Sequence, residues 1–148
     1  GVSNRLDAAQ SIRAGAEYLS NLLDALPSDV SEPDRTWMAL AAYNLGLGHL
    51  KAARHIAKTH NVDASSWYEM KKVLPLLAKE QYYKRLKSGK GRGGEAVIMV
   101  ENIRMFLDIL KRHENLARVL ASTAETRTGG TSPPLQSAYK QELSAFTR

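Results

Sequence analysis

The chain has 148 residues, no cysteine and a formal net charge of +6. That length fits one ordinary domain with a core of its own, and the lack of cysteine excludes a disulfide framework and a thiolate metal site. No run of about 18 apolar residues is present, so no membrane span is expected, and the charge favours polyanions without choosing among nucleic acid, anionic lipid and acidic polymer.

The opening Gly1-Val2-Ser3-Asn4-Arg5-Leu6 is polar and begins without Met, which reads as a cut inside a longer protein rather than a signal peptide. Asp7 to Gln10 has capping-box spacing. It is followed by an apolar stripe at helical period: Ile12, Ala16, Leu19, Leu22, Leu23 and Leu26, closed by Pro27. A second helix is expected from the Ser31-Glu32-Pro33-Asp34 start, with Trp37, Leu40, Ala41 and Asn44 on one side and Gly46 and Gly48 at its end. A third is expected from about Gly48 to Thr59, then a turn at Asn61-Val62-Asp63. Ser65-Ser66 can cap a helix from Trp67 to Leu74, which Pro75 should break or kink.

Leu76 to Leu86 reads as helix again, and Lys87 to Gly94, with Gly89, Gly91, Gly93 and Gly94, as a loop. The last strong helix runs from about Glu95 to Arg112, reaching toward Leu120, with Val97, Val100, Ile103, Leu107 and Leu110 as its buried stripe. Composition changes at Ser122: Thr126 to Pro134 reads as linker, and Tyr139 to Phe146 as a short tail helix. No pattern of period two appears, so the fold class is all-α.

The segment Ala41-Ala42-Tyr43-Asn44-Leu45-Gly46-Leu47-Gly48 resembles the Ala-Tyr-Asn-x-Gly-x-Gly motif of the lytic transglycosylases related to goose-type lysozyme. Gly15-Ala16-Glu17-Tyr18-Leu19 is similar to that family's G-x-x-Y-L helix. Tyr82-Tyr83, Arg92-Gly93-Gly94-Glu95 and Val100-Glu101-Asn102-Ile103-Arg104 match the pattern of one branch, the membrane-bound lytic transglycosylase F type. The matches keep family order over residues 1 to 112.

The resemblance implies a lysozyme-like helical domain lacking its N-terminal catalytic helix, with residues 1–121 as the C-terminal part of the catalytic domain and 122–148 as linker and tail. It implies cleavage of the β-1,4 bond between N-acetylmuramic acid and N-acetylglucosamine, with one glutamic acid serving as acid and then as base to close a 1,6-anhydro sugar. Tyr43 is then the supporting catalytic residue that orients the glutamate. Tyr18, Asn44 and Glu95 are the substrate-binding candidates. The family's Glu-Ser segment, which bears the acid, precedes its G-x-x-Y-L helix, so the acid is expected upstream and this chain is expected to be inactive alone. The implied partner is the peptidoglycan glycan strand. The implied setting is the periplasmic face of the outer membrane, with a lipid anchor and a solute-binding-like regulatory domain ahead of the catalytic one.

From the residues alone, Tyr43 at a helix end before two glycines can point its phenol into a cleft or be a satisfied core tyrosine. The resemblance implies that Glu95 lies near the cleft rim, whereas by itself it can simply complement a helix N-terminus. The histidines His49, His55, His60 and His113 form no H-E-x-x-H pair, so neither metal nor cofactor is expected. Lys84, Arg85, Lys87, Lys90 and Arg92, preceded by Tyr82 and Tyr83, make a basic aromatic segment. It can be a solvated loop, can bind single-stranded nucleic acid, or, under the resemblance, can face the glycan's peptide stems. No nucleic-acid partner is expected under that resemblance. The alternative to an enzyme is a non-catalytic glycan-binding or protein-interaction helical module. A missing N-terminal helix would leave an apolar groove along the first and last stripes, to be covered by a second copy, another chain or the tail with Leu135, Tyr139, Leu143 and Phe146.

Overall fold

The computed structural model describes residues 7–128, with side chains up to residue 122. Among these residues the structure is all-α: α1 (Ala8–Asp24), α2 (Asp34–Leu45), α3 (Leu47–Thr59), α4 (Trp67–Val73), a 3₁₀ turn (Leu74–Ala78), α5 (Glu80–Tyr83) and α6 (Gly93–Thr128). The chain divides into two compact units, one ending at Ile103 and one beginning at Arg104. The expected tail helix, Tyr139 to Phe146, and the linker beyond residue 128 lie outside the described residues.

Asp7 caps α1 as its spacing predicts, accepting from the Gln10 backbone N–H at 3.0 Å. The other end is closed by a residue the sequence did not single out. Arg35 Nη2 donates to the Leu23 and Leu26 carbonyls at 2.7 and 2.8 Å, and Nη1 to those of Pro27 and Val30 at 3.0 Å. A guanidinium there satisfies carbonyls left over at the end of α1 and meets the negative end of its dipole. It also ties α1 to the start of α2. The apolar stripe of α1 is covered only at its C-terminal half. Leu22 and Leu26 are buried, Leu19 and Leu23 pack partly against the core, and Ile12 is 72% exposed.

The buried side of α2 differs from the expected one. Met38, Ala39, Ala41 and Ala42 are fully buried, whereas Trp37 and Leu40 are half-buried and Asn44 is exposed. The reason is that α2 packs against α1, α3 and α4, and alanines let neighbouring helices approach from several sides. Gly46, at φ 95°, ends α2 and starts α3 in one residue, a left-handed conformation that glycine tolerates. Gly48 therefore lies inside the first turn of α3 rather than after α2.

Buried Arg54 on α3 donates to the Ala64 carbonyl at 3.0 Å and to both carboxylate oxygens of Asp29 at 2.9 and 3.0 Å. Asn61, at φ 56°, makes the expected turn after α3. Pro75 ends α4 as expected, and the chain tightens into the 3₁₀ turn at Leu74. The expected Ser cap of α4 is not the one used. Ser66 makes no side-chain cap, and Asp34 Oδ1 accepts the Trp67 N–H at 3.0 Å. The Trp67 indole is buried and donates to Glu101 Oε1 at 2.7 Å, while Lys71 reaches the other oxygen of the same carboxylate at 3.3 Å.

The expected helix from Leu76 to Leu86 is instead split. Lys79 adopts an extended conformation, so α5 is a short turn of helix followed by further turns. The expected loop from Lys87 to Gly94 ends early, because α6 begins at Gly93. A Cβ on Gly93 would fall 2.0 Å from the Leu74 carbonyl oxygen, so only glycine lets the two backbones pass. Ala96 and Val100 are buried in the first unit, with Val97 and Ile103 half-buried. In the second unit α6 continues through Ser122 to Thr128, so the change of composition there does not end the helix. Leu107 is half-buried and Leu110 is exposed, as are Phe106, Leu116 and Leu120.

Candidate functional site

Tyr18 and Tyr43 come from different helices and meet at the surface of the first unit. Their ring centroids are 5.4 Å apart and their planes are inclined by 56°. Offset aromatic pairs of this kind are favourable by about 0.5–1.5 kcal/mol, although both rings here are nearly half exposed, at 45% and 44%. Ala41 and Ala42, fully buried, fix the backbone from which Tyr43 projects. Gly15, one helical turn before Tyr18, makes room for the phenol: a Cβ there would lie 3.0 Å from the Tyr43 hydroxyl oxygen. Thus the motif residues Gly15, Tyr18 and Tyr43 are assembled by the packing of α1 on α2. The Tyr43 hydroxyl has no hydrogen-bond partner among the described residues, which leaves its donor and acceptor capacity for a ligand. Tyr43 is therefore not a sealed core tyrosine. Asn44, beside it at the end of α2, is also exposed.

Glu95 stands in the first turn of α6, mostly exposed, with Arg92 at 3.4 Å. No hydrogen bond or ion pair joins it to Tyr18, Tyr43 or Asn44 among the described residues. The glycine segment before α6 is anchored through His49 on α3. The His49 Nδ1–H donates to the Leu45 carbonyl at 3.0 Å. Gly91 lies against that imidazole, where a Cβ would come within 2.7 Å of Cδ2. The Gly91 N–H donates to the Leu77 carbonyl at 3.1 Å. Neither His49 nor Arg35 was singled out from the sequence. The i, i+4 spacing of His49 to Leu45 at a glycine break is the signal that could have marked His49.

Of the other glutamates with described side chains, half-buried Glu101 is held by the Trp67 indole and Lys71, and the rest are surface groups. Glu69 pairs with Lys72 at 3.0 Å, Glu80 with Lys84, and Glu114 with Arg118. Glu32 accepts from the Thr36 hydroxyl at 2.7 Å, and Glu17 is exposed on α1. Ion pairing favours the charged form of a carboxylate, whereas a general acid works from a desolvated pocket that keeps it protonated. Lys72, held by the Glu69 carboxylate and lying 3.8 Å over the Tyr68 ring, has its ammonium pKa raised, chiefly by the hydrogen bond to Glu69.

Comparison with known proteins identifies the family. Residues 1–66, which include all three motif residues of the tyrosine cluster, match the Transglycosylase SLT domain family. The chain is 54% identical over 114 residues to the membrane-bound lytic murein transglycosylase F of Methylobacillus flagellatus, covering 77% of this chain and 24% of that protein. It is 51% identical over 110 residues to the protein of the same name from Shewanella loihica, covering 74% of this chain and 23% of that one. The Pseudomonas putida protein of that name is 52% identical over 110 residues, with 74% and 23% covered. The chain belongs to the SLT lytic transglycosylase family. It spans about a quarter of the length of the curated relatives it matches. No helix among the described residues is long and apolar enough to cross a membrane.

Proposed function

We propose that this chain forms part of the glycan cleft of a peptidoglycan lytic transglycosylase. The reaction is cleavage of the β-1,4 bond between N-acetylmuramic acid and N-acetylglucosamine, with closure of the muramyl 6-hydroxyl onto C1 to give the 1,6-anhydro sugar. The observation that carries this reading is the paired, half-exposed Tyr18 and Tyr43, with Gly15 opening the space at the Tyr43 hydroxyl. Aromatic faces suit sugar rings, and the free phenol can hydrogen-bond the acid that protonates the leaving oxygen. Asn44 is the group beside it that can bond a sugar hydroxyl or acetamido group. Glu95 is a rim residue that meets substrate farther along the strand.

The acid itself is proposed to come from a segment preceding these residues, because the family's acid-bearing segment precedes its G-x-x-Y-L helix, and among the described glutamates all but Glu101 stand at the surface, while Glu101 is held by the Trp67 indole and Lys71. That segment would pack on the uncovered half of the α1 stripe, where Ile12 is exposed. On this reading the chain alone does not turn over glycan, since general acid catalysis supplies roughly 10²–10⁴-fold and the ring closure needs the same group as base. Residues 1–121 are assigned to the catalytic-domain part, and the linker and tail are assigned to the chain after α6, which runs on to Thr128. The whole protein acts on peptidoglycan at the periplasmic face of the outer membrane, held there by a lipid anchor.

The test is digestion of purified sacculi by the full-length protein, with products separated and weighed. The reading expects fragments ending in 1,6-anhydromuramic acid. Reducing ends, heavier by one water, would identify a hydrolase instead, and intact sacculi would favour a non-catalytic glycan-binding module.

A further inference from the structure

A cleft of about 520 Å³ lies between the last turns of α3 and the segment around α5, away from the tyrosine pair. Its apolar lining is Ile56 and Leu86, and Tyr82 forms one wall. The Tyr82 and His60 rings meet edge to face at 5.9 Å, and the Tyr82 hydroxyl stands 3.4 Å from His60 Nε2. Arg85 supplies the cationic side of the lining, with the His55 imidazole also in the wall. Neither has a carboxylate partner among the described residues. The acid nearest in sequence to Arg85 that could neutralise it, Glu80, is taken by Lys84. The result is an unneutralised guanidinium beside an apolar floor and an aromatic wall, in a space of small-ligand size.

This combination selects for a ligand with one carboxylate and a small apolar body. The guanidinium presents two parallel N–H donors to a carboxylate, which a lysine cannot match. Gln81, also in the lining, can donate to and accept from a peptide unit. We infer that this cleft binds the carboxylate end of a short peptide stem carried by the glycan strand, with Arg85 holding the carboxylate and Tyr82 packing against the residue that bears it. The inference rests on the peptidoglycan reading above. The helix α3 has 13 residues, so its ends are about 20 Å apart at 1.5 Å per residue. Tyr43 precedes one end and His60 follows the other. An extended peptide covers about 3.5 Å per residue, so a stem of roughly five residues spans most of that separation. One strand can therefore place its sugar at the tyrosines and its stem terminus at Arg85.

The test is calorimetric titration of the full-length protein with diacetyl-L-lysyl-D-alanyl-D-alanine and with its C-terminal amide. The acid should bind saturably and the amide at least about tenfold more weakly, the loss expected for a charge-assisted hydrogen bond. Arg85→Gln should weaken the acid by about tenfold or more and leave the amide unchanged. Arg85 is exposed, so the variant should fold, and its melting temperature checks this. Equal affinities for acid and amide, no binding of either, or an Arg85→Gln protein that binds the acid like the parent would each overturn the inference. Sacculus digestion by the same preparation separates the two ideas. A protein that digests sacculi but ignores the peptide retains its proposed function and loses this site. A protein that leaves sacculi intact loses the function first.

Discussion

A side chain at Gly15 would touch the hydroxyl of Tyr43: the Cβ would lie 3.0 Å from that oxygen. The contact is at the tight end of what real neighbours show, so one of the two must yield by a few tenths of an ångström. Tyr43 is nearly half exposed, so its ring can swing outward. Replacing glycine by alanine inside a helix also gains about 0.5–1 kcal/mol. Gly15→Ala should therefore leave the melting temperature of the full-length protein unchanged or raise it. Turnover of sacculi should nonetheless fall by roughly tenfold, because small misplacements of catalytic groups are costly. A variant that keeps full turnover would show that the position of the Tyr43 hydroxyl does not matter.

Gly93 makes the opposite prediction from a similar-looking contact. Its added Cβ would meet the Leu74 carbonyl oxygen at 2.0 Å. That neighbour is backbone at the junction of α4 and the 3₁₀ turn, and Leu74 itself is fully buried, so neither side can move cheaply. Gly93→Ala should destabilise the protein by about 1–3 kcal/mol or more despite the better helix propensity. The shift of the urea midpoint measures this. An unchanged midpoint would mean that α6 can start elsewhere.

These two glycines show what the sequence could and could not reveal. Gly15 sits in a motif, so its importance was legible, while the reason for it, the Tyr43 phenol, needed the packing of α1 on α2. Gly93 looked like one of four loop glycines, because nothing local distinguishes a glycine that bends the chain from one that lets another backbone pass. Pro75 and the Asn61 turn were legible because their constraints are local. The cap of α4 was not: Ser66 has the right residue type, but Asp34, 33 residues earlier in sequence, reaches the Trp67 N–H. Arg35 was opaque for the same reason, since its carbonyl partners come from the preceding helix end and loop. For α2, helical periodicity pointed to one face, whereas contact with three helices buries more than one. At the candidate site, Tyr18, Tyr43 and Asn44 were legible through the motifs. The meeting of Tyr18 and Tyr43 at the surface required the fold.

Asp63 gives a pH prediction. The Ser65 hydroxyl and backbone N–H donate to its carboxylate at 2.6 and 2.8 Å. These bonds, the hydroxyl first, lower its pKa below the ordinary aspartate range. A lowered folded-state pKa contributes stability that is present above the unfolded value, near pH 4, and is lost as pH falls through the folded one. Ser65→Ala should thus lower the urea midpoint slightly at pH 7. The gap from the parent should close below about pH 4. A gap that stays constant down to pH 2 would place the effect in the turn's packing rather than in the carboxylate.

The most direct measurement is the turnover of purified sacculi by the full-length protein carrying Tyr43→Phe, beside the parent. The substitution keeps the ring against Tyr18 and removes one oxygen that has no hydrogen-bond partner among the described residues, so folding and melting temperature should be preserved. If that hydroxyl orients the acid, release of 1,6-anhydromuramyl products should fall by about 10–100-fold, the equivalent of roughly 1.5–3 kcal/mol for a hydrogen bond to a charged group. Release of those products at the parental rate by a folded Tyr43→Phe protein would contradict the account.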